Sequence, residues 1–161
     1  MRQRWSEQGA GFQVGSRGDA WYHTTMSSTL HISAELSNLA VMRRFVSEQG
    51  ANLQSKQAAI DDMIQAVDES ATNVIVHGYR GRPGRIEIEV SREGDALVVR
   101  IRDHAPPFDP TTHPTPDLTL PLERRRYGGM GIHLTRECTD AMLYRATPDG
   151  ANELTLLKKA Y

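Results

Sequence analysis

A chain of 161 residues with 39% hydrophobic content is long enough to bury one substantial core and too short for two comfortable ones. Its 19 basic and 20 acidic residues leave a formal net charge of -1, which gives no general attraction to a nucleic-acid backbone or an anionic membrane, so any phosphate recognition must be local. The one cysteine, Cys138, excludes an intramolecular disulfide framework and reads as a small apolar helix residue in a reducing compartment. No apolar run approaches the ~20 residues that span a bilayer, and the N-terminus has no signal-peptide core, so a soluble cytoplasmic protein is expected.

Residues 1–27 are rich in Gly, Ser, Arg and Gln without sustained periodicity and read as a polar, mobile tail, although Trp5, Phe12 and Trp21 leave room for a docking segment. The globular domain is expected over 28–161, starting with a short alternating strand at 29–34. Ser37 is placed to cap a helix over 38–49, with Leu39, Met42, Phe45 and Val46 as its apolar face and Gly50 as its end. A longer helix follows from near Ser55 to His77. Ile60, Met63, Ile64, Val67, Ala71, Val74 and Ile75 form its apolar stripe, and Gly78 is expected as a left-handed cap. In this reading His77 favours the helix dipole. Glu69 and Asn73 are one i,i+4 step apart, opposite the stripe, where they make either a solvated helix back or a polar pair aimed into a site.

After an Arg80 to Gly84 loop, Ile86, Ile88 and Val90 alternate with Glu87 and Glu89, and Leu97, Val99 and Ile101 alternate with Val98, Arg100 and Arg102. The Glu93-Gly94-Asp95 turn between them predicts a half-buried antiparallel hairpin whose second strand ends at Asp103. Six prolines between Ala105 and Arg126 forbid regular structure, and residues 105–127 are expected to form a functional lid. A helix from Ile132 to about Thr139, a strand through Met142, Tyr144 and Ala146, and a last strand from Glu153 to Lys159 complete the chain. The order predicts an α+β two-layer sandwich, with a mainly antiparallel sheet and all helices on one face.

Gly128-Gly129-Met130-Gly131 opens a helix, as either a turn or a phosphate cradle of free N-H groups, and no Gly-Lys-Ser/Thr follows to make it a Walker A loop. Asp103 reads as a turn cap or as an acceptor for an amine such as adenine N6, and Phe108 as a loop anchor into the core or a site residue. Taken together, these stretches resemble the Bergerat-fold (GHKL) ATPases, and within them the stand-alone anti-sigma factor serine kinases. The resemblance is carried by Glu69-Ser-Ala-Thr-Asn73-Val-Ile-Val-His77-Gly78-Tyr79, Asp103-His-Ala-Pro-Pro-Phe-Asp-Pro110, Gly128-Gly-Met-Gly-Ile132 and the closing Asn152-Glu-Leu-Thr-Leu156, and covers about Thr29 to Lys159. The chain departs from the family's Asp-x-Gly-x-Gly wording at Ala105, where loss of a positive φ or of clearance would weaken ATP binding.

The resemblance implies ATP and Mg²⁺ as cofactors, with Asn73 on the Mg²⁺ and Glu69 as the general base for a serine hydroxyl. Asp103 would accept from adenine N6, the amides around Gly128, Gly129, Met130 and Gly131 would hold the phosphates, and His77, Ala105, Phe108 and Thr155 would complete the pocket. Arg124, Arg125 and Arg126 read as a solvated lid face, with phosphate-charge stabilisation as the other reading. The function implied is a serine kinase that holds a sigma factor and phosphorylates a STAS-domain anti-anti-sigma protein, with no direct contact to nucleic acid or membrane and with homodimerisation common in the family. The alternatives are a non-catalytic ATP-sensing interaction module of the same fold and a histidine-kinase catalytic domain, the latter lacking a helical phosphoacceptor segment.

Overall fold

The computed structural model describes residues 26–114 and 129–161. Residues 1–25 of the predicted tail, Gly128, Arg124, Arg125, Arg126 and residues 115–127 of the predicted lid therefore lie outside the described residues. The elements run β1 (Ser27–Ser33), a 3-10 turn (Leu36–Asn38), α1 (Leu39–Asn52), α2 (Gln57–Asn73), a π-helical turn (Val74–Tyr79), β2 (Arg85–Glu93) and β3 (Ala96–Asp103). A short 3-10 turn (Pro110–Thr112), α3 (Met130–Cys138), β4 (Ala141–Ala146) and β5 (Asn152–Lys159) follow. The five strands form one sheet in the order β1-β2-β3-β5-β4, antiparallel at every pairing. Helices α1 and α2 pack on one face of it, and α3 packs against α2, which is the predicted α+β layering.

Strand alternation decides which side chains meet the helices. Ile88 pairs with Ile101, Val90 with Val99, and Val99 in turn with Leu156; all are at most 1% exposed. They meet Met42, Phe45 and Val46 of α1 and Met63, Val67 and Ala71 of α2 in one core cluster. At about 25 cal/mol per Å² of apolar surface, side chains of this size stabilise the fold by roughly 1.5–3 kcal/mol each. The polar rows of the hairpin pair as charge alternation suggests, Arg100 bridging Glu89 and Glu93. The exception is Val98, fully buried opposite Ser91. Among the described residues no helix is long and apolar enough to cross a membrane.

The helix boundaries depart from expectation where glycine was given a capping role. Ser37 makes no cap: its hydroxyl bonds Glu35, and α1 begins after a 3-10 turn held by Asn38 donating to the Ser33 carbonyl. Gly50 lies inside α1 and is needed for packing, because a Cβ there would stand 2.8 Å from Ile60 Cγ1. Gly78 is likewise not the cap of the second helix. The helix widens into the π turn, and Arg80, at φ 52 and ψ 48, adopts the left-handed conformation that ends it. Gly78 is required for another reason: its Cβ would approach the Ala105 Cβ to 2.8 Å.

Candidate nucleotide site

A cavity of about 530 Å³ opens between the end of α2, the loop after β3, the start of α3 and the inner faces of β4 and β5, within the range of small-ligand sites. Of the predicted residues, Asn73, His77, Asp103, Ala105, Phe108 and Gly129 line it. Asn73 and His77 are delivered by the polar side of α2 and its π turn, one helical turn apart.

Asp103 takes the turn-capping role that its sequence position offered, and its carboxylate also lines the cavity. The carboxylate is 5% exposed, and its Oδ1 accepts from the Ala105 N-H at 2.8 Å, an Asx turn that starts the proline-rich loop. The same oxygen accepts from Asn152 Nδ2 at 2.9 Å, while among the described residues Oδ2 has no hydrogen-bond partner. Burial pushes the Asp103 carboxyl above the usual carboxylate range, against the opposing pull of the Asn152 and Ala105 hydrogen bonds and of His104. Ala105 does not have a positive φ, so the alanine carries no backbone strain. Room for the Ala105 side chain is supplied across the contact by Gly78.

The first part of the predicted lid is a fixed wall. Asp109 Oδ1 caps the 3-10 turn by accepting from the Thr111 N-H at 2.8 Å and the Thr111 hydroxyl at 2.6 Å. Arg136 of α3 donates to the carbonyls of Pro110, Thr111 and His113 at 3.1, 3.0 and 2.6 Å. Phe108 is no core anchor: it is 53% exposed, its ring edge-on to His113 at 6.3 Å. Gly129 must be glycine on two counts, its φ of 84 and a Cβ that would stand 2.8 Å from His113 Cε1.

Glu69, Met130 and Gly131 stand beside the cavity and not in its lining. Glu69 is half-buried; its Oε1 accepts from Gln65 Nε2 at 3.1 Å. Its Oε2 lies against the first turn of α3, 2.5 Å from where a Cβ on Gly131 would be. A side chain at 131 would displace the carboxylate, so that glycine keeps Glu69 next to the helix N-terminus. Met130 is 42% exposed there and offers backbone alone.

Thr155 is not where it was expected. It pairs with Arg100 and Leu143, while its neighbours Leu154 and Leu156 pair with Ile101 and Val99, so it projects from the sheet face away from the cavity. Asn152 holds the place intended for it, donating to Asp103 Oδ1 and, at 3.0 Å, to the Ala105 carbonyl. Tyr144 of β4 donates to Asn152 Oδ1 at 2.7 Å. The signal for Asn152 was in the alternation: once Leu156 is a core residue, Leu154 and Asn152 share its face and Thr155 does not. Arg80, Arg82, His113 and Tyr144 also line the cavity, and no spacing rule singles them out.

The fit to ATP rests on these features: a cavity of nucleotide size, an open carboxylate oxygen in its lining, and a glycine, Gly129, that keeps a side chain off the α3 N-terminus. Comparisons with known proteins agree. An anti-sigma F factor of Thermoanaerobacter sp. (strain X514) is 28% identical over 120 residues, 74% of this chain and 83% of that protein. A serine-protein kinase RsbW of Listeria monocytogenes serovar 1/2a is 29% identical over 117 residues, 70% and 74% of the two chains. In fold, the chain is similar to a Mycobacterium tuberculosis protein solved as its RsbU and RsbW domains. The TM-score is 0.56 at 18% identity, over 82% of this chain and 32% of that longer one. The model described as a histidine kinase-like ATPase domain matches residues 32–158, from the first strand through the last, so the chain belongs to that family, and ATP is the ligand class that goes with it.

Proposed function

We propose that the protein is an ATP- and Mg²⁺-dependent serine kinase that acts as an anti-sigma factor and phosphorylates a STAS-type anti-anti-sigma partner. The observation that carries this reading is the placement of Glu69. Its carboxylate is held against the first turn of α3 by the absence of a side chain at Gly131, one helical turn from Asn73. A general base must lie within reach of both the serine hydroxyl and the terminal phosphate, and the N-terminus of α3 is the phosphate-binding end of the cavity. The likeness to proteins named anti-sigma F factor and serine-protein kinase RsbW supports both halves of the reading.

In this reading Asn73 would hold a Mg²⁺, which would neutralise phosphate charge beside the nucleotide. Asp103 Oδ2 would accept from adenine N6, and the amides from Gly129 to Gly131 would meet the phosphates.

Incubation with ATP, Mg²⁺ and STAS-domain proteins of the native host should yield a phosphoserine on one of them. Glu69→Gln should lower that transfer by about 10²–10⁴-fold, the usual worth of a positioned base, with nucleotide affinity retained. Partner binding that responds to ATP in wild type and Glu69→Gln alike, with no transfer by either, would establish the non-catalytic sensing module instead.

A further inference from the structure

The hydroxyl of Tyr144 has no role in the family resemblance, yet it closes a hydrogen-bond chain ending on the carboxylate at the bottom of the cavity. Asn152 Nδ2 faces two acceptors, Asp103 Oδ1 at 2.9 Å and the Ala105 carbonyl at 3.0 Å. Both amide hydrogens are therefore committed, and the amide oxygen must point the other way, where Tyr144 lies at 2.7 Å. With Oδ1 as the acceptor, Tyr144 has to donate. Every donor in the chain has one acceptor, and reversing any one member sets donor against donor or acceptor against acceptor.

We propose that Tyr144 is a positioning residue that fixes the orientation of the Asn152 amide and thereby keeps Asp103 an acceptor-only reader of a 6-aminopurine. This rests on the reading of the cavity as an ATP site. With Oδ1 of Asp103 held by two donors, Oδ2 is the atom presented to the base. An ionised carboxylate oxygen accepts from a 6-amino group and repels a 6-oxo group. Without the Tyr144 hydroxyl, the Asn152 amide is no longer fixed at its oxygen, and Asp103 Oδ1 loses the steady donor that favours its ionised form. The buried carboxyl then takes a proton more readily, and because Oδ1 still accepts from the Ala105 N-H the proton sits on Oδ2, where it donates to a 6-oxo group.

The test is calorimetric binding of ATP and of inosine triphosphate, which carries a 6-oxo group in place of the amine, to wild type, Tyr144→Phe and Asp103→Asn. Wild type should prefer ATP. Tyr144→Phe should narrow that preference about tenfold, the cost of one mispaired buried group, mainly by gaining affinity for inosine triphosphate. In Asp103→Asn the fixed Asn152 amide should draw the new amide oxygen into the Oδ1 position and turn its NH₂ to the base, so that this variant prefers inosine triphosphate.

An unchanged ratio in Tyr144→Phe, or an equal loss for both nucleotides, overturns the assignment and leaves Tyr144 a packing residue. If Tyr144→Phe does not fold, Asp103→Asn decides alone, and failure to reverse the preference overturns it. A wild type that binds neither nucleotide removes the ATP-site reading itself, and the assignment with it.

Discussion

At Asp103 the hydrogen bonds that hold the carboxylate and the burial that penalises its charge act with opposing signs. Burial raises its carboxyl, so the ionised form is the less favourable one in the fold. The sign follows: with a folded value above the unfolded one, the contribution to stability is greatest below the ordinary carboxylate range, about 3.9. It is lost as pH rises through the raised folded value. Asp103→Asn keeps an oxygen for Ala105 and Asn152 and removes the charge. Its melting temperature at about pH 7 is expected to be no lower than that of wild type, the gap closing as the pH falls below ~4 where wild type is protonated as well. A variant markedly less stable at neutral pH would mean that the hydrogen bonds to the ionised form outweigh the desolvation.

The contact between α2 and α3 depends on glycine. Gly131 leaves the space that Glu69 Oε2 occupies, and Gly129 sets the left-handed entry to α3 against His113. Gly131→Ala should push the Glu69 carboxylate away while leaving the cavity lining intact, because residue 131 is not part of that lining. Phosphotransfer is expected to fall by about 10²-fold with nucleotide affinity nearly unchanged, read as kcat against the dissociation constant. Equal losses in both would place residue 131 in ground-state binding.

Legibility differs among these elements. The apolar stripe of α2 was readable because a 3.6-residue period is a local property: Ile60, Met63, Val67, Ala71 and Ile75 are all at most 8% exposed. Its end was misread because capping rules see only the local chain. The rule put Gly78 at the left-handed position, whereas packing against Ala105 claimed that glycine and left Arg80 to turn the chain. Thr155 was misplaced by the family resemblance, although the alternation around it puts Asn152 on the cavity face.

For the whole molecule, the cavity walls come from α2, the loop after β3, α3, β4 and β5, so a ligand in it ties the helical layer to the sheet. A nucleotide that binds only the folded chain stabilises it by about 2.7 kcal/mol at a hundredfold excess over its dissociation constant. For a chain of this length that is a rise in melting temperature of about 5–10 °C. ATP with Mg²⁺ should produce this shift in a thermal melt. Its absence at millimolar nucleotide would argue against the cavity as an ATP site.

By itself the sequence determined the α+β class, the order of helices and strands, the Glu69/Asn73 pair and the membership of Asp103 and Gly129 in one site. Each of these follows from periodicity, from composition or from a motif read along the chain. Only the tertiary structure decided that Gly78 supplies the clearance opposite Ala105, that the Pro110–Thr112 turn is pinned by Arg136, and that Asn152 and Tyr144 hold Asp103. The reason is that these are contacts between segments 8 to 49 residues apart, fixed by strand pairing and helix packing. Local propensity cannot register how closely two distant backbones approach, or which oxygen of a carboxylate remains open once its neighbours are in place.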